Sequence, residues 1–91
     1  MLERDLERYF AKEVKARGAF PVKLVPPPAG IPYRMVIAPG GVVLFVELKT
    51  ETGKTSKIQD WMHRKLDALG VKVHVLYGKK DIEEWLSEHL T

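Results

Sequence analysis

The sequence predicts one α/β domain over residues 1–91, with element order α-β-β-β-α-β-α and a mixed four-stranded sheet flanked by helices. Three observations predict it. The stretch Gly30 to Lys49 reads as two apolar strands joined by Ala-Pro-Gly-Gly, a combination that punctuates a tight turn. Apolar residues recur at three- and four-residue spacing near both ends of the chain and again after Ser56, the period of one helix face. Val71, Val73 and Val75 alternate with Lys72, His74 and Leu76, the period of a strand.

Taken in order, Leu2 to Arg17 forms the first helix, with Leu2, Leu6, Tyr9, Phe10 and Val14 as its stripe and Gly18 as its stop. At about 100° per residue, Glu3 and Glu7 fall within or beside that stripe. A carboxylate there either reaches out to water or faces a polar site. Ala19 to Leu24 is a short strand whose Lys23 faces either phosphate or solvent. Three consecutive prolines then exclude a helix or an inner strand over Val25 to Gly30, because each removes a backbone donor and fixes φ. The result is a stiff loop that delivers the chain to the hairpin strands, Tyr33 to Ile37 and Val42 to Lys49. Along the second of these, Val42, Leu44, Val46 and Leu48 point one way, and Val43, Phe45, Glu47 and Lys49 the other. Glu47 and Lys49 thus stand side by side at the end of an otherwise apolar strand. Elsewhere such a pair is commonly a solvated edge or a weak ion pair.

A polar loop, Thr50 to Thr55, carries Lys54. Ser56-Lys-Ile-Gln59 then has the form of a capping box and opens the second helix. Ile58, Trp61, Met62, Leu66 and Leu69 are expected to be its buried stripe before Gly70 ends it, with Trp61 and Met62 read as core and not as base-stacking platforms. Lys57, Arg64 and Lys65 leave on the polar side. After the last strand, Asp81 or a neighbour starts the closing helix, and Ile82, Trp85, Leu86 and Leu90 pack down.

Composition bounds the function. A hydrophobic fraction of 45% and a charged fraction of 30% are those of an ordinary globular domain. No apolar run approaches the roughly 18 residues of a membrane span, and the amino-terminal stretch is charged and helical, unlike a signal peptide. The sequence has no cysteine, which excludes disulfides and thiolate metal sites and points weakly to an intracellular setting. The net charge of +3 suits a polyanionic partner. His63, His74 and His89 lack metal-ligand spacing. There is no nucleophilic Ser or Cys with a partner, and no glycine-rich phosphate loop followed by Lys-Ser/Thr.

A Gly-x-Pro segment, a strand, a glycine hairpin, a strand ending Glu-x-Lys, a polar loop and a helix bearing an early glutamine resemble the PD-(D/E)XK nuclease superfamily. Within it the pattern is most similar to the virus-type replication-repair nuclease (VRR-NUC) branch, whose hairpin typically reads Gly-x-Pro-Asp-Arg and then Glu-x-Lys. Gly30, Pro32, Arg34, Glu47, Lys49 and Gln59 match as they stand. Tyr33 occupies the position of the family's aspartate.

The resemblance covers essentially the whole chain. It implies a restriction-endonuclease-like core and Mg²⁺- or Mn²⁺-dependent hydrolysis of DNA phosphodiesters. By it, Glu47 is a direct metal ligand, the main-chain carbonyl of Leu48 supplies a further oxygen, and Lys49 orients the attacking water and stabilises developing charge. The family's first-helix glutamate falls on Glu7 by its distance from the helix-ending glycine, or on Glu3 one turn earlier. Glu13 also lies near the stripe. Gln59 gains a place beside the catalytic lysine in addition to its capping role. Lys23, Arg34, Lys54 and Lys57 are the expected DNA contacts.

Tyr33 departs from this pattern with consequence. A phenol is neutral at pH 7 and a weak single-oxygen ligand, so this chain is expected to keep the fold and DNA affinity but to cleave poorly or not at all. Stand-alone viral members resemble Holliday-junction resolvases, which implies branched DNA, a homodimer, a role in phage biology or DNA repair, and the cytoplasm or nucleoid of a bacterial or phage-infected cell. Two other classes stand beside this one: a non-catalytic DNA-binding module, and a protein-interaction domain that borrowed the fold.

Overall fold

Alternation along the hairpin sorts its side chains between two faces, and helices then take one of them. The computed structural model describes residues 2–24, 30 and 34–90; the triple-proline loop and Tyr33 lie outside the described residues. Helix α1 spans Glu3–Ala16, followed by strands β1 (Phe20–Lys23), β2 (Arg34–Ala38) and β3 (Val42–Lys49). Helix α2 (Lys57–Ala68), strand β4 (Val73–Tyr77) and helix α3 (Gly78–His89) complete the chain. The order is the expected one. Helix α1 stops one residue short of the sequence estimate at each end, where backbone groups lack intrahelical partners.

The sheet runs β1-β2-β3-β4, antiparallel through β3 and parallel between β3 and β4. That parallel step needs a crossover, which α2 provides. The hairpin closes at the Ala38–Val42 pair. Gly40 and Gly41 in its loop have φ of +88° and +79°, the left-handed conformation that side chains disfavour.

The core lies on one face. Leu6, Phe10 and Val14 of α1 and Ile82, Trp85 and Leu86 of α3 are buried with Val36, Ala38, Val46, Leu48 and Leu76 of the sheet. The Phe10 and Trp85 rings meet at 5.5 Å between centroids, joining the two helices. On the opposite face, Phe20, Ile37 and Val43 form one cross-strand row by register and all three are exposed.

Two expectations are corrected, the buried stripe of α2 and the start of α3. The apolar stripe of α2 is not buried: no residue of that helix is, Trp61 is 51% exposed, and Leu69 just beyond it is 73% exposed. The reason is spatial, since α1 and α3 already fill the core face. Part of α2 instead lies against Gly30, where a Cβ would stand 2.8 Å from the Ile58 carbonyl oxygen and 3.0 Å from Met62 Cβ. In β4 the deeply buried side chain is Leu76, while the valines at 73 and 75 are half-buried. Helix α3 begins at Gly78, before Asp81, which accepts a hydrogen bond at 2.8 Å from the Tyr77 backbone N–H of the N-cap.

Candidate active site

The pair Arg34–Val46 is the last between β2 and β3, so among the described residues Glu47, Leu48 and Lys49 are paired only with Val75, Leu76 and Tyr77 of β4. At this end of the sheet a cavity of about 300 Å³ is lined by Glu3, Arg4, Glu7, Arg34, Glu47 and Leu48. Glu47 and Leu48 point to opposite sides of β3 yet both line it, so the cavity wraps the rim of the sheet. Helix α1 supplies Glu3 and Glu7 one turn apart on the same side. Residues 40 positions apart in sequence, Glu7 and Glu47, thus share one space.

Its electrostatics are those of facing opposite charges. Glu47 is 4% exposed, and a buried carboxylate is costly without compensating charge or hydrogen bonds. Lys49, next along the same side of β3, brings Nζ to 3.7 Å from Glu47 Oε1. Glu7 Oε2 lies 3.6 Å from Lys23 Nζ and 3.9 Å from Arg34 Nη2. The open choice for Lys23 between phosphate and solvent thus acquires a third partner, Glu7.

Other sequence candidates sit elsewhere. Gln59 is engaged in the capping box: its Oε1 accepts from the Ser56 N–H at 2.9 Å and its own N–H donates to Ser56 Oγ at 3.2 Å. Gln59, Lys54 and Lys57 do not line the cavity, and the two lysines are exposed. Glu13 pairs with Arg17 at 2.9 Å, a turn further along α1. Arg4 is a cavity residue that the sequence reading missed; its place between two singled-out glutamates was the only signal.

The donor set can be tested against a divalent cation. Among the described residues no three His, Cys, Asp or Glu side chains gather as a metal cage. The three glutamates that line the cavity, Glu3, Glu7 and Glu47, suit a different arrangement, in which a hard cation keeps several waters and completes its shell with substrate phosphate. The residues fit a cation held in that way, which Glu7 and Glu47 would ligate. Separately, folding brings two of the histidines together, His74 and His89, with ring centroids 4.9 Å apart and Trp85 against both.

The element order α-β-β-β-α-β-α around a mixed four-stranded sheet is that of a nuclease fold. The chain belongs to the VRR-NUC family of the PD-(D/E)XK nucleases. A solved structure of a VRR-NUC domain superposes with a TM-score of 0.80 at 28% identity, covering 98% of this chain and 97% of that one. "Putative nuclease p44" of Acyrthosiphon pisum secondary endosymbiont phage 1 is 37% identical over 75 residues, 81% of each protein. No family model matches the chain.

Proposed function

We propose that this protein is a metal-dependent endonuclease acting on branched DNA, and that its own turnover is held back by Tyr33. The observation that carries this reading is the cavity shared by Glu7 and Glu47, with Lys49 held against Glu47. When bound there, Mg²⁺ or Mn²⁺ polarises the scissile phosphate, lowers the pKa of a water and offsets charge on the phosphoryl oxygens. Glu47 and Glu7 hold the cation, with the Leu48 carbonyl as a further oxygen by family resemblance. Lys49 orients the attacking water and donates to the oxygen on which negative charge grows. Lys54 and Lys57, exposed beyond the cavity, follow the DNA backbone, and Lys23 can exchange Glu7 for phosphate. Gln59 contributes through the capped start of α2, which fixes the loop after Lys49.

Tyr33 supplies no carboxylate where the family pattern has one. Tyr33→Asp, assayed on branched and duplex DNA with Mn²⁺, is expected to raise cleavage by about a hundredfold or more, each tenfold being about 1.4 kcal/mol of barrier. No gain would refute Tyr33 as the lesion. The tyrosine at this position favours a second reading of the chain as a DNA-binding module, whose mark is salt-dependent binding without cleavage.

A homodimer is part of the proposal. The exposed row Phe20, Ile37 and Val43 lies on the sheet face away from α1 and α3, and contiguous apolar surface of this kind marks an interface. A two-fold pair of sites suits symmetric cuts in paired strands.

A further inference from the structure

Arg34 is the buried basic residue among those described, 8% exposed, and its side chain lines the same cavity as Glu7 and Glu47. A guanidinium carries five N–H donors. Its Nε is buried without a hydrogen-bond partner. Its one charged contact among the described residues, Nη2 to Glu7 Oε2 at 3.9 Å, is beyond hydrogen-bond range. Buried polar groups are paired in nearly all folded proteins, and one that is not calls for a missing partner. Here the partner must accept from Nε, and one that also accepts from an adjacent Nη–H, carries negative charge and enters a rim cavity of about 300 Å³ uses the whole fork. A tetrahedral oxyanion does all of this, because Arg presents a planar fork that matches two oxygens of one phosphate.

We propose that Arg34 is the phosphate-receiving group of the cavity: Nε–H and one Nη–H donate to the two non-bridging oxygens of the phosphodiester brought beside Glu47. This deepens the nuclease reading and rests on it. It separates Arg34 from Lys54 and Lys57, which are exposed and act as point charges along the backbone. It also gives the loose contact with Glu7 a purpose. In the free protein Arg34 offsets the Glu7 charge at a distance, and the phosphate takes over the guanidinium when DNA arrives, leaving Glu7 to the cation.

The test is a ¹⁵N NMR titration of the intact wild-type protein, without metal, using a thymidine dinucleotide that carries one phosphodiester, with duplex DNA as a second ligand. The Arg34 Nε–H resonance is expected to shift saturably with the dinucleotide. Arg34→Lys keeps the charge but loses the fork, and is expected to weaken dinucleotide binding about tenfold or more. Arg34→Gln serves as a second variant, and the wild-type titration decides if it fails to fold. Shifts at the Glu47 and Leu48 amides with Arg34 Nε–H unmoved would overturn the proposal and leave the nuclease reading intact. No cavity response to either ligand would also overturn it. A Tyr33→Asp protein that neither binds nor cleaves DNA would instead sink the nuclease reading itself.

Discussion

At the scale of single residues, the site sets Glu7 and Glu47 against Lys23, Arg34 and Lys49. Glu47 is almost wholly buried, with Lys49 near it and the cavity in front. Burying that charge costs stability unless it is compensated. On the proposed mechanism, a Glu47→Gln variant in the Tyr33→Asp background is expected to lose cleavage, because it removes a charged oxygen ligand from the cation. Lys49→Ala in that background should lower the cleavage rate by about a hundredfold or more, since on the proposed mechanism it removes a donor to the developing charge. A steady-state assay with Mn²⁺ reads both, and a Lys49→Ala enzyme as fast as its parent would remove Lys49 from the chemistry. The sequence alone showed Glu47 and Lys49 as neighbours, because period-two alternation is local. It could not separate Glu3 and Glu7 from Glu13, since all three lie near one stripe; the fold puts Glu3 and Glu7 on the cavity and leaves Glu13 with Arg17.

At the scale of elements, α2 is where local and tertiary physics diverge. Its capping box forms as Ser56-x-x-Gln59 predicts, because both hydrogen bonds span three residues. Ser56→Ala should cost about 1 kcal/mol. Its apolar stripe, by contrast, needed a partner surface, and α1 and α3 had taken the core face. What α2 does meet is Gly30, at φ +78° and with no room for a methyl group between it and Ile58 and Met62. Gly30→Ala is expected to destabilise the protein by about 1–3 kcal/mol, through strain and overpacking together. A urea midpoint unchanged from wild type would show that α2 yields there without cost.

At the scale of the whole molecule, two bulk properties follow. The exposed row Phe20, Ile37 and Val43 predicts sedimentation at twice the 10.4 kDa chain mass, and Val43→Glu should return a monomer. A wild type that sediments as a monomer at high concentration would leave that row without the assigned partner. The second property is pH dependence. Burial lowers the His74 pKa below its ordinary 6.5, His89 and Lys72 lower it further, and Glu88 opposes them. Above that ordinary value both folded and unfolded His74 are neutral and its contribution to stability is intact. As pH falls through it, the unfolded chain takes up the proton first, so stability declines until the folded pKa is passed. Thermal melts from pH 8 to pH 5 should show this decline, and His74→Phe should flatten it. An equal slope in the variant would assign the effect to other groups.

The sequence by itself determined the element order, the glycine hairpin, the capped start of α2, and an acid and a base adjacent at a strand end. Each depends on residues within one turn or one strand of each other, where period and turn chemistry act directly. The tertiary structure decided which helix faces are covered, that α1 brings Glu7 to a cavity shared with Glu47, that Arg34 is buried there with its Nε unpartnered, and that His74 meets His89. Those outcomes depend on which surfaces are already occupied when distant segments pack, and no local pattern encodes that competition.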